Sequence, residues 1–599
     1  AYALAALGAA YLADRELYAS TVARNLRTFW TCAVIAADYK LNFTPDAADG
    51  ITALHERVGE RVFNLLTSNG GLYIKFGQAI GANAALLPRP IQRKFARLFD
   101  DAPQIPYADV DRVFRAEFGR PPSGPDGVFA EFEEHAVASA SVAQVHRARL
   151  KPADGGEWVA VKVQKPAVGK QMEPDLAAFR AVMWMYEHWL FDLPVYFMVD
   201  FISEHLRQEL DFENEARNAD RTAAFVAADP ALRERVHIPK VHHAYTTKRV
   251  MTAEWIDGVR MSDREGILRL MGEGARGLPP STIAPPPLSP DANSALRARY
   301  APPLKGGVRA LMHTMVDLFS AQIFRWGWVH CDPHPGNVLV RAHPSPAHPH
   351  TPQLVLLDHG LYVCLPDAFR AEYARLWKGL LAMDMRAVEE VTRGWGIGAP
   401  DLFASATLLK PVSFAKEERT EEEPGQYEAG VRMKEKLKGF LLDTDKMPKE
   451  LIFIGRNMRI VQGNNQMLGS PVNRIKLTGL AASRALADAP LLPLALHPHP
   501  LPSSPPSSSS LARSLLRSPA HAFTALAARA RAYWHHALFL AAVYALDAAF
   551  YAARARQWLR ARATGAGEGA GFEDALERSM RTLARRRFGI EMDAAAFEG

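Results

Sequence analysis

From residue 53 to residue 85 apolar side chains recur at spacings of three and four, as at Val58, Val62, Leu65, Leu66, Leu72 and Phe76. That is the period of a helix with one buried face. A Pro- and Gly-rich break at 121–127 (PPSGPDG) ends this pattern. Beyond it come short β-type runs at 142–146 (VAQVH), 158–163 (WVAVKV) and 249–255 (RVMTAEW), separated by helical runs. From Leu311 onward long helical patterns dominate, broken by apolar runs at 338–340 and 354–357. A small sheet-rich unit followed by a helical unit with two short strands predicts an α+β fold. No internal repeat at a solenoid period is present.

Low-complexity stretches punctuate these units. The first, 272–303, contains Ala284 and three following prolines; the second, about 489–518, contains PSSPPSSSS. Neither composition supports a packed core, so they read as a surface insertion and a linker. Residues 342–352 are rich in Pro and His (His343, His348, His350) and read as a long hairpin loop. The resulting units are an N-terminal helical segment (1–50), a helical extension (51–125), a β-rich lobe (126–258), a helical lobe (259–486), a linker (487–518) and an Arg-rich helical tail (519–599).

Composition narrows the class. The 599 residues are 48% hydrophobic and 23% charged, which excludes wholesale disorder. A mean hydropathy of −0.12 argues against a polytopic membrane protein. Three cysteines exclude a disulfide framework and a Cys-rich zinc module. The net charge of +6 is compatible with an anionic membrane surface or with nucleic acid and specific for neither, and no nucleic-acid partner is expected. Residues 1–13 (AYALAALGAAYLA) are apolar but shorter than the roughly 20 residues of a span. They read as the end of a membrane or targeting segment or as an Ala-rich helix start. The apolar run 537–552 carries Asp547 and is flanked by Arg529, Arg531, Arg554, Arg556 and Arg560. It reads as an interfacial helix or as a packed helix with a solvated Arg face.

Three motifs carry candidate chemistry. In 159–162 (VAVK), Lys162 faces the side of a strand opposite to its apolar neighbours. A lysine so placed pairs nucleotide phosphates in kinases. In 330–337 (HCDPHPGN), Asp332 and Asn337 lie five positions apart, the spacing of a kinase catalytic loop with its acid and its metal-binding amide. The third motif begins 21 residues after Asn337. There an apolar run ends in Asp358, His359 and Gly360, the form of D-F-G with His in the Phe position. A carboxylate there is placed to hold Mg²⁺. Lys162 needs an acid partner, and the segment read as one helix over 209–218 offers Glu209, Asp211, Glu213 and Glu215. Two other patterns are set aside. A G-x-G-x-x-G match at 272–277 runs into prolines instead of a helix, so it is no dinucleotide site. His330, Cys331, Asp332 and His334 are too crowded on one loop to converge on one ion.

Together these residues resemble the UbiB-like, aarF-domain-containing atypical kinases over about residues 53–486. The resemblance rests on Lys75 to Gln78 (KFGQ, the family's K-x-G-Q), the Ala-rich 137–141 (VASAS), 163–166 (VQKP), Glu209-x-Asp211, 329–340 and 356–362. The Asp-His-Gly form, the Leu-Tyr that follows and 464–469 (NNQMLG) are similar to the aarF domain-containing kinase 1 branch. The resemblance implies a two-lobed protein-kinase-like fold binding ATP (or ADP) and Mg²⁺. It implies that Lys162 contacts phosphates and pairs with Glu215 across a family insertion. Asp332 takes the catalytic-base position, and Asn337 and Asp358 bind the metal. Ala138, Ser139 and Ala140 lie over the phosphates, and Glu254 meets adenine. Lys75 and Gln78 project into the site, with Lys75 near Glu209 or Asp211. It also implies the mitochondrion, with the plastid as alternative. This chain departs from the pattern in three places. Ser139 replaces an alanine of the loop, which puts nucleotide preference in question. Cys331 replaces the Arg of H-R-D. No A-P-E segment follows Gly360, which disfavours peptide substrates. Two functions follow as expectations: a Mg-nucleotide-dependent kinase or ATPase acting on a small-molecule or lipid system, or a nucleotide-gated pseudokinase scaffold at a membrane surface.

Overall fold

The computed structural model describes residues 12–45, 50–81, 104–192, 196–273, 303–382, 384–398 and 446–488, and scattered further positions, most of them between 530 and 551. Most of the 272–303 insertion and of the 487–518 linker lie outside these residues. In chain order the strands are β1 (Glu131–Phe132), β2 (Ala138–Ser139), β3 (Ala143–Arg149), β4 (Trp158–Gln164), β5 (Val236–His237), β6 (Val250–Glu254), β7 (Val259–Arg260), β8 (Trp328–His330), β9 (Val338–Ala342), β10 (Pro352–Leu356) and β11 (Tyr362–Cys364).

The first sheet runs β1-β3-β4-β6, with β2 also on β3, and is antiparallel throughout. Val159, Val161, Val163 and Val250 are fully buried on one face, against Val110, Val113 and Phe114 of the Tyr107–Phe118 helix. Each such side chain contributes roughly 1.5–3 kcal/mol of burial. Alternation then turns Lys162 to the other face, and a one-residue slip would drive its ammonium into that core. The 51–125 extension read from the pattern thus divides physically, because the Tyr107–Phe118 helix packs beneath the first sheet.

The second sheet runs β5-β10-β9-β7. Its β9–β10 hairpin, with Leu356 opposite Val338, closes through the Pro- and His-rich loop. β5, placed by the pattern in the β-rich lobe, pairs with β10 here. The chain passes from one sheet to the other between Glu254 and Val259. A two-stranded β8–β11 pair lies on the helical side. Helices Gly307–Ala321, Asp367–Ala382, Glu450–Met467 and Arg474–Asp488 complete this lobe. The result is a two-lobed α+β, protein-kinase-like fold.

The pattern over 53–85 holds two helices, Ile51–Asn69 and Leu72–Gly81. The break falls at Gly70 and Gly71, both at positive φ (62° and 54°), a conformation that side-chain-bearing residues rarely adopt. A further helix, Thr21–Asn42, joins them. The group docks on the Pro166–Met185 helix, which occupies the insertion between Lys162 and Glu215. Arg24 and Asp175 form a buried ion pair at 2.5 Å. Thr28 Oγ1 and the Tyr73 hydroxyl share a 2.6 Å hydrogen bond, and Phe76 stacks on Phe179 at 4.6 Å. At the other end, Phe539 and Val543 bury against Leu480, Ser483 Oγ meets His536 Nδ1 at 2.7 Å, and Lys476 Nζ meets Asp547 Oδ2 at 2.5 Å. These contacts favour the packed-helix reading of 537–552. Among the described residues no helix is long and apolar enough to cross a membrane.

Candidate active site

Lys162 Nζ lies 2.8 Å from both Glu215 carboxylate oxygens and 3.5 Å from Asp358 Oδ1. Burial alone would pull the ammonium down, but Asp358 and Glu215 outweigh it and hold Lys162 above the usual lysine range. Burial lifts the Glu215 carboxyl to about 7 against the pull of Lys162. Glu215 sits in the first turn of the Phe212–Ala228 helix. The 209–218 segment is not one continuous helix. Val199–Glu209 ends, and Asp211 then N-caps the next helix by accepting from the N–H groups of Glu213 (3.0 Å) and Asn214 (3.2 Å). The face shared by Glu209 and Glu213 on a single helix therefore does not exist. Asp211 orients the helix that carries Glu215, and Glu209 is the acid that pairs with Lys75.

That pair brings the extension into the site. Lys75 projects from the Leu72–Gly81 helix to Glu209. Burial works against its charge, but Glu209, Asp332 and Asp358 together hold Lys75 above the lysine range. Gln78 lies one turn further along that helix, and its side chain falls outside the described residues.

His330 ties the catalytic loop to Asp358. Its Nδ1 accepts the Asp332 N–H at 2.9 Å, so Nε2 carries the proton and donates to the Asp358 carbonyl at 2.7 Å. Burial keeps this ring neutral by lowering its pKa. Asp358 Oδ1 accepts the Gly360 N–H at 3.0 Å. Burial would raise this carboxyl, yet Lys162 and Lys75 hold it well below the carboxylate range. Asn337 arrives through the hairpin, where its carbonyl accepts the Leu357 N–H at 2.9 Å, one residue before Asp358. His359, in the Phe position, is buried and neutral, with burial lowering its pKa to about 3. It is fixed by the Tyr362 hydroxyl (2.9 Å) and the Leu356 carbonyl (3.2 Å).

The loop above the cleft is a tight turn closed by Ala140 N–H to Ala143 carbonyl at 2.8 Å. Lys165 of the VQKP run holds it, donating to the Ala140 carbonyl at 2.7 Å. Register sorts its residues by face. Ala138 lies in one cross-strand row with Val145, Lys162 and Met251, on the cleft side. Ser139 lies in the row of Gln144, Val163 and Val250, the core side. Ser139 is thus turned away from Lys162, whereas Ser141 Oγ is buried with no hydrogen-bond partner. Glu254 occupies the crossing between the sheets, but its carboxylate is taken by His237 Nε2 (2.8 Å) and the Lys240 N–H (3.2 Å). Its N–H is also spent, on the Lys240 carbonyl at 2.8 Å, which leaves the backbone carbonyl to meet a base.

One element escaped the motif reading. The Glu450–Met467 helix grips the catalytic loop at three points. Arg456 Nη2 lies 2.9 Å from Asp332 Oδ2, Asn457 Nδ2 donates to the His330 carbonyl (2.6 Å), and Asn464 Nδ2 donates to the Pro333 carbonyl (3.2 Å). Burial would raise Asp332, but Arg456, then Lys75, hold it below the usual range. Cys331, in the Arg position of H-R-D, is fully buried. A guanidinium is nonetheless supplied to this loop, from a helix more than 120 positions later in the chain. The NNQMLG run was the only sequence signal of this helix's role.

Comparison with known proteins decides the family. Residues 97–392 match the ABC1 atypical kinase-like domain. ABC1 family protein lscO of Purpureocillium lilacinum is 40% identical over 500 residues, covering 80% of each chain. The chain belongs to the ABC1 atypical kinase family. AarF domain-containing protein kinase 1 of Xenopus tropicalis is 34% identical over 63% of this chain and 64% of its own. Among solved structures, Rv3197 of Mycobacterium tuberculosis, bound to erythromycin, aligns with 22% identity and a TM-score of 0.38, covering 66% of this chain and 94% of its own.

The donor set fits a nucleotide with Mg²⁺. Asp358 is held ionised, its Oδ2 accepts no hydrogen bond from a described residue, and Asn337 is brought beside it by the hairpin. The unpartnered Ser141 hydroxyl is a spare donor in the loop.

Proposed function

We propose that this ABC1 family member is an ATP-dependent phosphotransferase or ATPase acting on a small-molecule or lipid system in organelle membrane homeostasis. The observation that carries this reading is Lys162, held between Glu215 and Asp358 at the floor of the Ala-rich loop. Lys162 faces the phosphate position as a preorganised cation, which costs no reorganisation during reaction. Glu215 keeps it there. Asp332, kept ionised, orients the acceptor hydroxyl or water. Asn337 and Asp358 would hold Mg²⁺, which when bound neutralises phosphate charge. Lys75 stands at the acceptor side, where a peptide would lie in an ordinary kinase, and this supports a small acceptor. The test is Mg-ATP hydrolysis by purified protein, with and without lipid. Asp358→Asn is expected to abolish it, and unchanged hydrolysis in that variant would sink the assignment. The mitochondrial placement belongs to the same proposal and is read by imaging a tagged full-length chain.

A second reading has its own support in the Arg456–Asp332 ion pair, which takes one oxygen of the carboxylate a substrate would need. As a nucleotide-gated scaffold on an anionic membrane surface, the protein would bind nucleotide without turning it over and would float with anionic vesicles. Measurable wild-type turnover that Asp358→Asn removes decides against the scaffold.

A further inference from the structure

A groove sharing no lining residue with the Lys162 cleft runs between the Gly307–Ala321 helix, the Arg474–Asp488 helix and the tail. Its volume is about 340 Å³, at the small end of ligand pockets. Arg309, His313, Lys476, Arg484, Tyr544 and Tyr551 line it over a partly apolar floor.

The two acids of the groove are already engaged. Asp547 takes Lys476 at 2.5 Å, and Asp317 takes Arg235 at 3.1 Å and His313 at 2.9 Å. Arg309 and Arg484 have no carboxylate partner among the described residues, and Arg309 reaches only the Tyr551 hydroxyl, at 3.3 Å. They sit on two different helices, so the groove is flanked by two guanidinium groups that no carboxylate among the described residues pairs. Two tyrosines and the first turn of the Arg474–Asp488 helix, capped by Asn473 on the Lys476 N–H, border the same space. A helix start adds partial positive charge.

We propose that this groove binds a phosphate-bearing ligand and thereby fastens the tail to the helical lobe. Guanidinium forks match phosphate oxygens in pairs, which a lone ammonium does not. The tail supplies Tyr544, Asp547 and Tyr551, so a ligand seated here touches lobe and tail together. The phosphate can come from a soluble phosphoester or from a lipid headgroup, and the nucleotide cleft plays no part in the argument.

The test uses the full chain and two probes: inositol hexakisphosphate, and phosphatidylcholine vesicles with and without phosphatidic acid. Thermal unfolding, limited proteolysis of the tail and vesicle flotation are the readouts. The soluble probe is expected to raise the melting temperature and protect the tail if the source is a free phosphoester. Flotation that depends on phosphatidic acid is expected if it is a headgroup. Either effect should weaken by about tenfold or more in Arg309→Gln/Arg484→Gln, and should persist in Lys162→Met. Arg484→Gln alone, at an exposed position, covers the case in which the double variant is unstable. No effect with either probe, an equal effect in the arginine variants, or loss of the effect only in Lys162→Met overturns the proposal.

Discussion

Two helical additions flank the kinase-like body, and they dock by similar chemistry to different ends. The N-terminal extension is held by the Arg24–Asp175 pair, both side chains almost wholly buried, and by the stacking of Phe76 on Phe179. The tail is held by the Lys476–Asp547 pair, more accessible to water, and a small Leu480–Phe539–Val543 cluster. The extension continues into the Leu72–Gly81 helix and delivers Lys75 to Glu209 inside the cleft. Among the described residues the tail meets Arg309, Lys476, Leu480 and Ser483, all of the helical lobe. A dock built from buried charge is costly to break, and here it also positions a charge in the candidate site.

Four substitutions would break or sharpen that contrast. Arg24→Met leaves Asp175 as an unpaired buried charge, and we expect a loss of about 3–5 kcal/mol of stability in denaturant titration, with hydrolysis falling as Lys75 loses its support. Arg456→Met acts on the site from the opposite side. Asp332 is depressed chiefly by Arg456, so its removal raises the carboxyl pKa and protonates it at higher pH. The acid limb of the pH–rate profile should move up by about one to two units. Lys75→Met removes the second cation facing Asp332, and the same limb should move up by about one unit. An unmoved limb in both variants would show that Asp332 does not govern turnover. Lys476→Met leaves the Asp547 carboxylate largely buried without its partner, so it should cost about 1–3 kcal/mol, and it should leave hydrolysis unchanged. If it slowed hydrolysis as much as Arg24→Met, the division between the two additions would fail.

Much of the site was legible before the fold was known. Lys162 alternates with valines, Asp332 and Asn337 share a stiff loop, and Asp358 ends an apolar strand. These are local patterns, and local geometry fixes them. Whatever depended on a partner distant in the chain was less legible. Glu209 and Asp211 look interchangeable as partners of Lys75, but the helix break makes one a cap and leaves the other free to pair. Ser139 and Ala138 are adjacent in the same motif, and only the register with β3 and β4 turns one to the core and the other to the cleft. Glu254 falls at the crossing as read, yet its carboxylate is spent on holding β5 and β6 together.

The sequence by itself determined the α+β class, the order of the motifs and the residue types gathered in the candidate site, because period and spacing are encoded over a few residues. Tertiary structure alone decided that Arg456 meets Asp332, that Lys75 meets Glu209 and that the tail folds back on the lobe. Those contacts join elements tens to more than a hundred residues apart. No local pattern records them, because they exist only once burial has brought apolar faces together and left each buried charge needing the partner that lies within reach.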